Sequence, residues 1–319
     1  MEYEFFPEGG ILESAENRAR LVSLAAMERA MHEGVNVEGV AVRCDEDLCL
    51  HVDLCGFHGV ITPDEAVWCR RGEERKDIAI LTRVGKPVTC KILSIEHCEG
   101  EPLLRLSRRA AQKECIEYYF DTLSTGDVLD ARVTHMEPFG AFLDIGCGVS
   151  SLLSVDAISV SRITHPKERL NCGMRLSVVV KSVQRENERI YVTLREMLGT
   201  WEENARGFRA GQTVTGIVRS VESYGVFVEL TPNLAGLAEV REQEAEYLRE
   251  RIGQSVAVYV KSICPERMKI KLVLIDPYST EFAPKTPLRY FLDPERTRHL
   301  LHWKYSPDAC RRVIETRFE

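Results

Sequence analysis

The sequence predicts a mainly β protein made of three tandem five-stranded barrels, with short helices between them, an N-terminal helix and a C-terminal extension. Short stretches throughout residues 36–275 alternate apolar and polar side chains at period two, which is typical of strands with one buried face. The pattern restarts twice, so that three repeats of about 70–75 residues follow one another. Repeats of five short strands at this size are typical of small Greek-key barrels.

Composition sets the broad class of protein. With 319 residues, of which 44% are hydrophobic, the chain can bury two or three cores. It has no run of about 18 apolar residues, and its acidic N-terminus lacks an apolar signal core, so we expect neither a membrane span nor export. The 11 cysteines are odd in number and fall mostly inside strand or helix patterns, which indicates free thiols in the cytoplasm.

The charge distribution argues against a protein that simply coats nucleic acid, because non-specific binding depends on a basic surface. The whole chain has a net charge of −7. Residues 1–124 alone contain 23 acidic and 15 basic side chains, a net charge of −8, so the rest of the chain is close to neutral. A local basic face is therefore possible only in the later repeats.

Residues 1–34 are expected to form a loose arm followed by one amphipathic helix. Ser14 is a suitable N-cap and Gly34 a suitable terminator, and apolar residues recur between them at helical spacing. Such a helix docks either on the next domain or on a partner, and the next domain is favoured.

Repeat one, residues 35–108, shows strand patterns at residues 37–43, 48–54, 59–62, 88–95 and 103–107. A group of cysteines and histidines between Cys44 and His58 superficially suggests a zinc site. The spacing is wrong for paired zinc ligands and the chain contains no CxxC motif, so structural cysteines are favoured over a metal.

Repeat two, residues 124–197, follows a predicted helix at residues 107–122. Its strand pattern carries Phe139 and Phe142 on either side of Gly140, which marks a bend, with Arg132 upstream. Exposed aromatic rings beside basic residues can stack on the bases of single-stranded nucleic acid. The alternative is that both phenylalanines belong to a core.

The recurrence of this stretch favours the stacking interpretation. After strands at residues 176–183 and 189–194 and a connector helix at residues 195–208, the pattern restarts as repeat three, residues 209–276. Tyr224 and Phe227 stand 85 positions after Phe139 and Phe142, so both positions remain aromatic. In repeat one the corresponding residues are Leu48 and His51.

The C-terminal extension, residues 277–319, is rich in proline and aromatic residues. Ser306 and Pro307 predict the start of a last helix over residues 308–316. Its aromatic residues are expected to cover a barrel rather than to bind RNA. His299 and His302 lack a third ligand nearby, so no metal is expected there.

Repeats two and three resemble the S1-type RNA-binding domain, an OB-fold barrel, through Gly126, the segments 139–145 and 224–230, and the Val-Lys pairs at 180–181 and 260–261. The connector is similar to linkers between tandem copies in the ribosomal protein S1 family. The resemblance implies that outward aromatic residues stack on bases while basic residues contact phosphates. Ser154 and Glu239 replace a histidine common in the family, and Glu239 would weaken RNA binding by repeat three.

Carried onto this chain, the resemblance and the basic residues near the predicted platform give thirteen candidate RNA-binding residues. They are Phe139, Phe142, Arg132, Arg162, Lys167, Arg169, Lys181, Arg189, Tyr224, Phe227, Arg219, Lys261 and Lys269. Arg162, Lys167 and Arg169 fall in one loop, for which a solvated loop without RNA contact is the alternative.

The chain lacks a phosphate loop, a dinucleotide turn, a zinc-protease motif and a nucleophile elbow, so we expect neither an enzyme nor a cofactor. The predicted function is single-stranded RNA (mRNA) binding in a ribosomal protein S1-like role in translation. Repeat one, acidic and without the aromatic pair, resembles the family's ribosome-docking domains, and the free protein is expected to be a monomer. The alternatives are a non-ribosomal RNA-binding regulator, chaperone or decay cofactor, and a protein-interaction scaffold.

Overall fold

Three five-stranded β-barrels follow one another along the chain. The computed structural model describes residues 5–98, 100–276, 278, 281–282 and 288–318. In each barrel the strands are ordered first, second, third, fifth and fourth, and the fourth strand pairs back with the first. The third and fifth strands are parallel and all other neighbours antiparallel, which is the OB-type arrangement. The predicted fold class is therefore confirmed.

Barrel 1 contains five strands whose alternate apolar side chains fill its core. They are β1 (Val37–Cys44), β2 (Leu50–Leu54), β3 (Phe57–Ile61), β4 (Pro87–Cys98) and β5 (Glu101–Ser107). Two short helices, α3 (Pro63–Ala66) and α4 (Ile78–Leu81), lie between β3 and β4.

Two helices, not one, precede barrel 1. They are α1 (Ala15–Leu21) and α2 (Leu24–Glu33), and both add apolar side chains to the core of the barrel, so the expected docking on the next domain is confirmed. Ser14 accepts the backbone N–H of Asn17 at 3.0 Å, and Gly34 ends α2 with φ 64°, as predicted. The prediction of one continuous helix was wrong because Ser23 adopts an extended backbone and caps a second helix.

Barrel 2 follows the 15-residue helix α5 (Arg108–Thr122). Its strands are β6 (Val128–Glu137), β7 (Gly140–Asp144), β8 (Ser150–Ser154), β9 (Arg175–Gln184) and β10 (Arg189–Thr193). Helix α5 packs its buried face on the core of this barrel through Ala111, Cys115, Ile116 and Tyr119.

Barrel 3 begins after a short helix, α6 (Trp201–Ala205), which is shorter than the predicted connector helix because Thr200 caps it only at residue 201. The remaining elements are β11 (Thr213–Glu222), β12 (Gly225–Thr231), β13 (Leu234–Ala238), α7 (Glu242–Arg249), β14 (Gln254–Cys264), β15 (Lys269–Leu274) and the two-residue β16 (Glu281–Phe282). Strand β16 adds to the edge of β14.

Each barrel has a β-bulge in its first strand and another in its fourth. A bulge places one residue outside the pairing ladder and increases the local twist. The bulged residues in the first strands are Val42, Thr134 and Arg219, and those in the fourth strands are Leu93, Lys181 and Lys261. The three barrels therefore repeat at the level of single residues.

The N-terminal arm ties barrel 1 to barrel 2. The buried carboxylate of Glu8 accepts two hydrogen bonds from Arg108, at 2.5 and 3.0 Å, and one from Arg83 at 3.2 Å. Its backbone N–H donates to Asp144 at 2.7 Å. Burial alone would raise the pKa of Glu8, but the charges of Arg108 and Arg83 outweigh burial and hold the pKa below its ordinary value.

A second buried network joins barrels 2 and 3. Glu229 on β12 forms ion pairs with Arg169 from barrel 2 and with Arg219 from β11, and Arg219 also pairs with Glu168 of barrel 2. Asn233, fully buried, accepts the N–H of Val160 at 2.9 Å. The two barrels are therefore held in a fixed relation by polar contacts that are shielded from water.

The C-terminal extension packs over both later barrels. The predicted helix over residues 308–316 was wrong. The segment ends in a hairpin of β17 (His302–Lys304) and β18 (Glu315–Arg317) because Ser306 bonds the N–H of Ile314 across the turn. Trp303 and Tyr305 enter the core of barrel 3 and Phe318 that of barrel 2, so the expected covering role is confirmed.

Candidate nucleic-acid interface

Phe139 and Phe142 form an aromatic pair on the outside of barrel 2. Strand alternation turns Ala141 and Leu143 into the core and leaves Phe142 half-buried on the outer face. Phe139, in the two-residue turn between β6 and β7, is 56% exposed, and the two ring centroids lie 6.0 Å apart with their planes at 90°. Both rings are thus available at the surface.

Barrel 3 repeats this pair with Tyr224 and Phe227. Tyr224 is 62% exposed, and the ring centroids lie 6.2 Å apart, again at 90°. The second strand starts with glycine in both barrels because a Cβ on Gly140 or Gly225 would approach a carbonyl oxygen of the third strand to 2.6 Å. The close approach of the two strands fixes where the turn aromatic stands.

Strand register extends the barrel 2 pair into a row across the outer face. Phe142 pairs with His135 on one side and Leu152 on the other, and Leu152 pairs with Tyr191. The His135 ring stacks on Phe142 with centroids 6.2 Å apart at 24°. His135 and Tyr191 were missed from sequence, although the alternation of β10 around the buried Ile190 could have placed Tyr191 outside.

The same row in barrel 3 has a different chemistry. Phe227 pairs with Ser220 and Leu237, and Leu237 pairs with Lys271. An exposed lysine therefore stands where barrel 2 has Tyr191. Glu239 is exposed just beyond the end of β13, so a carboxylate also borders this face.

Four of the predicted basic residues are exposed at corresponding places on the two barrels. Lys181 and Lys261 are the bulged residues of β9 and β14, while Arg189 and Lys269 open β10 and β15. Because a bulged side chain stands outside the ladder, both lysines are free to reach a ligand lying on the face.

The basic loop of barrel 2 divides into exposed and buried residues. Arg162 and Lys167 are exposed, so their contact with RNA remains a prediction. Arg169 is only 5% exposed and the Arg219 side chain 7%, and both are bound to Glu229. The prediction that these two arginines contact RNA is therefore corrected, because both form ion pairs at the junction between the barrels.

Arg132 lies apart from the aromatic pair. It is three residues before His135 on β6, and the bulge at Thr134 separates the two. Its guanidinium donates to the backbone oxygen of Glu8 at 2.8 Å, so the side chain faces the N-terminal arm. The structure does not bring Arg132 together with Phe139 and Phe142.

Barrel 1 has no aromatic pair at the corresponding place. Leu48 sits in a turn with φ 61° and packs on the core, while His51 is 8% exposed. His51 bonds Asp45 at 2.9 Å, and its Nδ1 lies 2.8 Å from Nε2 of His58. Burial, and then the neighbouring charge of His51, lower the pKa of His58.

The described residues contain neither a metal-binding cluster nor a membrane-spanning helix. No cluster of three or more histidine, cysteine or acidic side chains in this part of the chain could hold a metal ion. None of its helices is both long and apolar enough to cross a membrane.

Comparison with known proteins agrees with this geometry. Residues 122–195, which cover barrel 2, match the family described as "S1 RNA binding domain". The chain is 31% identical over 204 residues to small ribosomal subunit protein bS1 of Staphylococcus aureus (strain COL), which covers 60% of this chain and 52% of that protein. It is 30% identical over 224 residues to the bS1 homolog of Bacillus subtilis (strain 168), 66% of this chain and 58% of that protein.

Among solved structures, a multidomain protein with nucleic acid binding domains from Streptococcus pneumoniae matches 76% of this chain and 74% of its own. Its sequence identity is 18% and its TM-score 0.25. The chain spans about half the length of the bS1 proteins that it matches. Barrel 2 is therefore similar to the S1 RNA binding domain, and it lies within a longer stretch that is similar to bS1.

Proposed function

We propose that the chain binds single-stranded RNA on the outer faces of barrels 2 and 3, in a ribosomal protein S1-like role that holds mRNA near the small ribosomal subunit. The observation that supports this most is the duplicated aromatic pair, with centroid distances of 6.0 and 6.2 Å and the same 90° geometry in two barrels. A core role does not explain rings that are 56% and 62% exposed.

The charges around the pairs favour a nucleic-acid strand as the ligand. Lys181 and Arg189 flank the barrel 2 face, and Lys261, Lys269 and Lys271 flank that of barrel 3. Each stacked base contributes about 1–3 kcal/mol, so one pair supplies about 2–6 kcal/mol. Because that affinity is modest, we expect strong binding only when one RNA spans both barrels and the second contact becomes intramolecular.

We propose that barrel 1 contacts protein, namely the small ribosomal subunit. Ile78, Leu81 and Val84 are 61%, 46% and 40% exposed at a spacing that places them on one side of α4 and the turn after it. Val42 is 54% exposed beside them, since Gly85 donates to the carbonyl of Ala41 at 2.7 Å. A contiguous apolar patch of this kind is typical of protein interaction sites.

The role implies a binding protein rather than an enzyme, and one that is cytoplasmic and monomeric when free. The ten cysteines whose side chains the structure describes are all free thiols, which suits a reducing compartment. Sedimentation equilibrium of the purified chain tests the monomer, and a dimer at micromolar concentration would contradict it.

Titration of a labelled single-stranded RNA against a Phe139→Ala/Phe142→Ala variant tests the platform. We expect at least about a thirtyfold loss of affinity, which corresponds to about 2 kcal/mol, the lower end of two stacking contacts. The matched control is Tyr278→Ala, which removes an aromatic ring that is 54% exposed but lies outside both pairs. Equal binding by all three proteins would contradict the proposal, and no binding by any of them would favour the scaffold alternative.

Co-sedimentation with small ribosomal subunits separates the ribosomal role from that of a free RNA regulator. We expect an Ile78→Ser/Leu81→Ser variant to lose subunit binding while it keeps RNA affinity. Val313→Ser, at a residue 57% exposed on the C-terminal extension, is the control. Wild-type protein that binds RNA but not subunits would support the free regulator.

A further inference from the structure

A groove on barrel 2 lies apart from the aromatic face. Strands β6 and β9 form its floor, and the N-terminal arm and Tyr290 of the C-terminal extension form its sides. Its volume is about 320 Å³, within the range of small-molecule sites. We call it the β6–β9 groove.

Two arginines stand side by side in this groove. Arg132 on β6 and Arg175 on β9 are register partners, so their side chains leave adjacent strands on the same face. Each donates to a carbonyl oxygen of the arm, Arg132 to Glu8 at 2.8 Å and Arg175 to Gly9 at 3.1 Å. These bonds orient both guanidinium groups and leave their other N–H donors available.

Neither guanidinium is neutralised by an acidic side chain. Among the described residues, no carboxylate oxygen lies within the 4.0 Å of an ion pair from Arg132 or Arg175. Like charges directly opposite on neighbouring strands repel each other. By contrast, the buried arginines Arg108, Arg169 and Arg219 are all paired with glutamate, whereas Arg175 is exposed.

The rest of the groove suits an organic group attached to an anion. The Phe6 ring is 44% exposed on one side, and Tyr290 is held on the other because its hydroxyl accepts the N–H of Ser177 at 3.0 Å. Asp130 lines the groove beyond the arginines and accepts from the Ser177 hydroxyl at 3.4 Å. An anion is therefore favoured at the end of the groove that holds Arg132 and Arg175. An aromatic or sugar group is favoured at the other end.

We propose that the β6–β9 groove binds the phosphate of a nucleotide between Arg132 and Arg175, with its nucleoside against Phe6 and Tyr290. Arginine pairs bind phosphate oxygens through several parallel N–H donors, and guanidinium groups already oriented by the arm bind with less ordering. The nucleotide can come from a free mononucleotide or from an RNA strand. The site is independent of the aromatic faces, so it stands whether or not those faces bind RNA.

Isothermal titration of the full chain with 5′-AMP, adenosine and inorganic phosphate tests the site. We expect 5′-AMP to bind at least tenfold more tightly than adenosine, and Arg175→Gln to weaken 5′-AMP about tenfold, the loss of one charge-assisted contact. Arg175→Lys keeps the positive charge but loses the planar set of N–H donors. Its affinity for 5′-AMP is expected to lie between those of wild type and Arg175→Gln. Arg185→Gln, at an exposed arginine of the β9–β10 turn, is expected to bind like wild type.

Single-stranded RNA forms the second arm of the experiment, and thermal unfolding verifies that each variant folds. If 5′-AMP does not bind but Arg175→Gln weakens RNA binding more than Arg185→Gln does, the phosphate belongs to an RNA strand. If Arg175→Gln changes neither 5′-AMP nor RNA binding, the groove is not a phosphate site and the proposal is overturned.

Discussion

At the scale of single residues, the outer row of barrels 2 and 3 differs at one position. Tyr191 and Lys271 occupy the same register place, next to the leucine that pairs with the stacking phenylalanine. An aromatic ring there adds a base contact that is insensitive to salt, whereas a lysine adds a phosphate contact that releases counterions. The two faces are therefore expected to respond differently to ionic strength.

Replacing these two residues tests the difference. Tyr191→Ala is expected to weaken RNA binding by about 1 kcal/mol, the lower end of one stacking contact, without changing the slope of affinity against salt. Lys271→Ala is expected to reduce that slope by about 0.7, the value for one phosphate on a single strand. Fluorescence anisotropy between low and moderate salt measures both.

Lys113→Ala, on the exposed side of α5 next to Glu117, is the control for the loss of a positive charge. A salt slope that changes as much for Lys113→Ala as for Lys271→Ala would show that the effect comes from net charge and not from the face.

The residues that sequence could and could not identify differ in a physical way. Phe139 and Phe142 were recognisable because alternation and the copy 85 positions later both depend on local pattern. Arg169 was misassigned because its partner, Glu229, lies 60 residues away in the next barrel. His135 was missed because the bulge at Thr134 shifts the alternation by one residue.

At the scale of elements, the N-terminal arm acts as a clamp whose strength depends on Glu8. Removing one partner of a buried ion pair leaves the other charge uncompensated, which costs about 3–5 kcal/mol. Since the folded protein holds the pKa of Glu8 below its ordinary value of 4.5, the carboxylate stabilises the fold above about pH 4.5. That contribution is lost as the pH falls below 4.5 and passes the lower pKa of the folded state.

Glu8→Gln is therefore expected to lower the free energy of unfolding at pH 7 by about 3–5 kcal/mol. The difference from wild type should shrink as the pH is lowered below about 4.5, because the wild-type carboxylate then becomes protonated as well. Urea unfolding at a series of pH values measures it. Glu13→Gln, in the exposed pair with Arg18 of the same arm, should behave like wild type at every pH.

If Glu8→Gln were destabilising by the same amount at pH 3 and pH 7, the ionised pair would not be the source of the stability. The effect would then come from the glutamine NH2 group, a donor that faces the arginine donors.

The elements themselves were predictable where the signal is local. The strands of barrels 1 and 2 begin and end within a few residues of their predicted limits, and Ser14 and Gly34 cap the helical region as expected. The last predicted helix failed because Ser306 and Pro307 resemble a helix start only locally. The pairing of Trp303 with Thr316 and the burial of Trp303 in barrel 3 depend on distant residues.

At the scale of the whole molecule, the junction of barrels 2 and 3 sets how two RNA-binding faces work together. The Asn233 side chain accepts from Val160 and donates to the carbonyl oxygens of Arg195 and Gly199, at 2.8–3.0 Å. Its own carbonyl accepts from the hydroxyl of Tyr305. One turn of barrel 3 thus contacts barrel 2, the connector and the C-terminal extension together.

Asn233→Ala is expected to loosen this junction, because it leaves one buried and two partly buried backbone groups without their partner. An RNA long enough to span both barrels should bind severalfold more weakly, since a looser tether lowers the effective concentration of the second face. A short RNA that fits one barrel should bind as before. Asn187→Ala, at an exposed asparagine that bonds Gln184, is the control, and equal losses for both RNA lengths would rule out a coupling role.

The shared bulges have a consequence for how this architecture can be altered. A bulged side chain contributes to neither the pairing ladder nor the core, so its chemistry can be exchanged at little expense to the fold. Within one chain the first-strand bulge holds valine, threonine or arginine, and the fourth-strand bulge holds leucine or lysine. The bulged residues are exposed and replaceable, with the exception of Arg219, which forms an ion pair with Glu168 of barrel 2. Each barrel therefore has two surface positions whose side chains can be exchanged without altering the fold. The substitutions Leu93→Lys and Val42→Thr would give barrel 1 the bulge residues of barrel 2, Lys181 and Thr134.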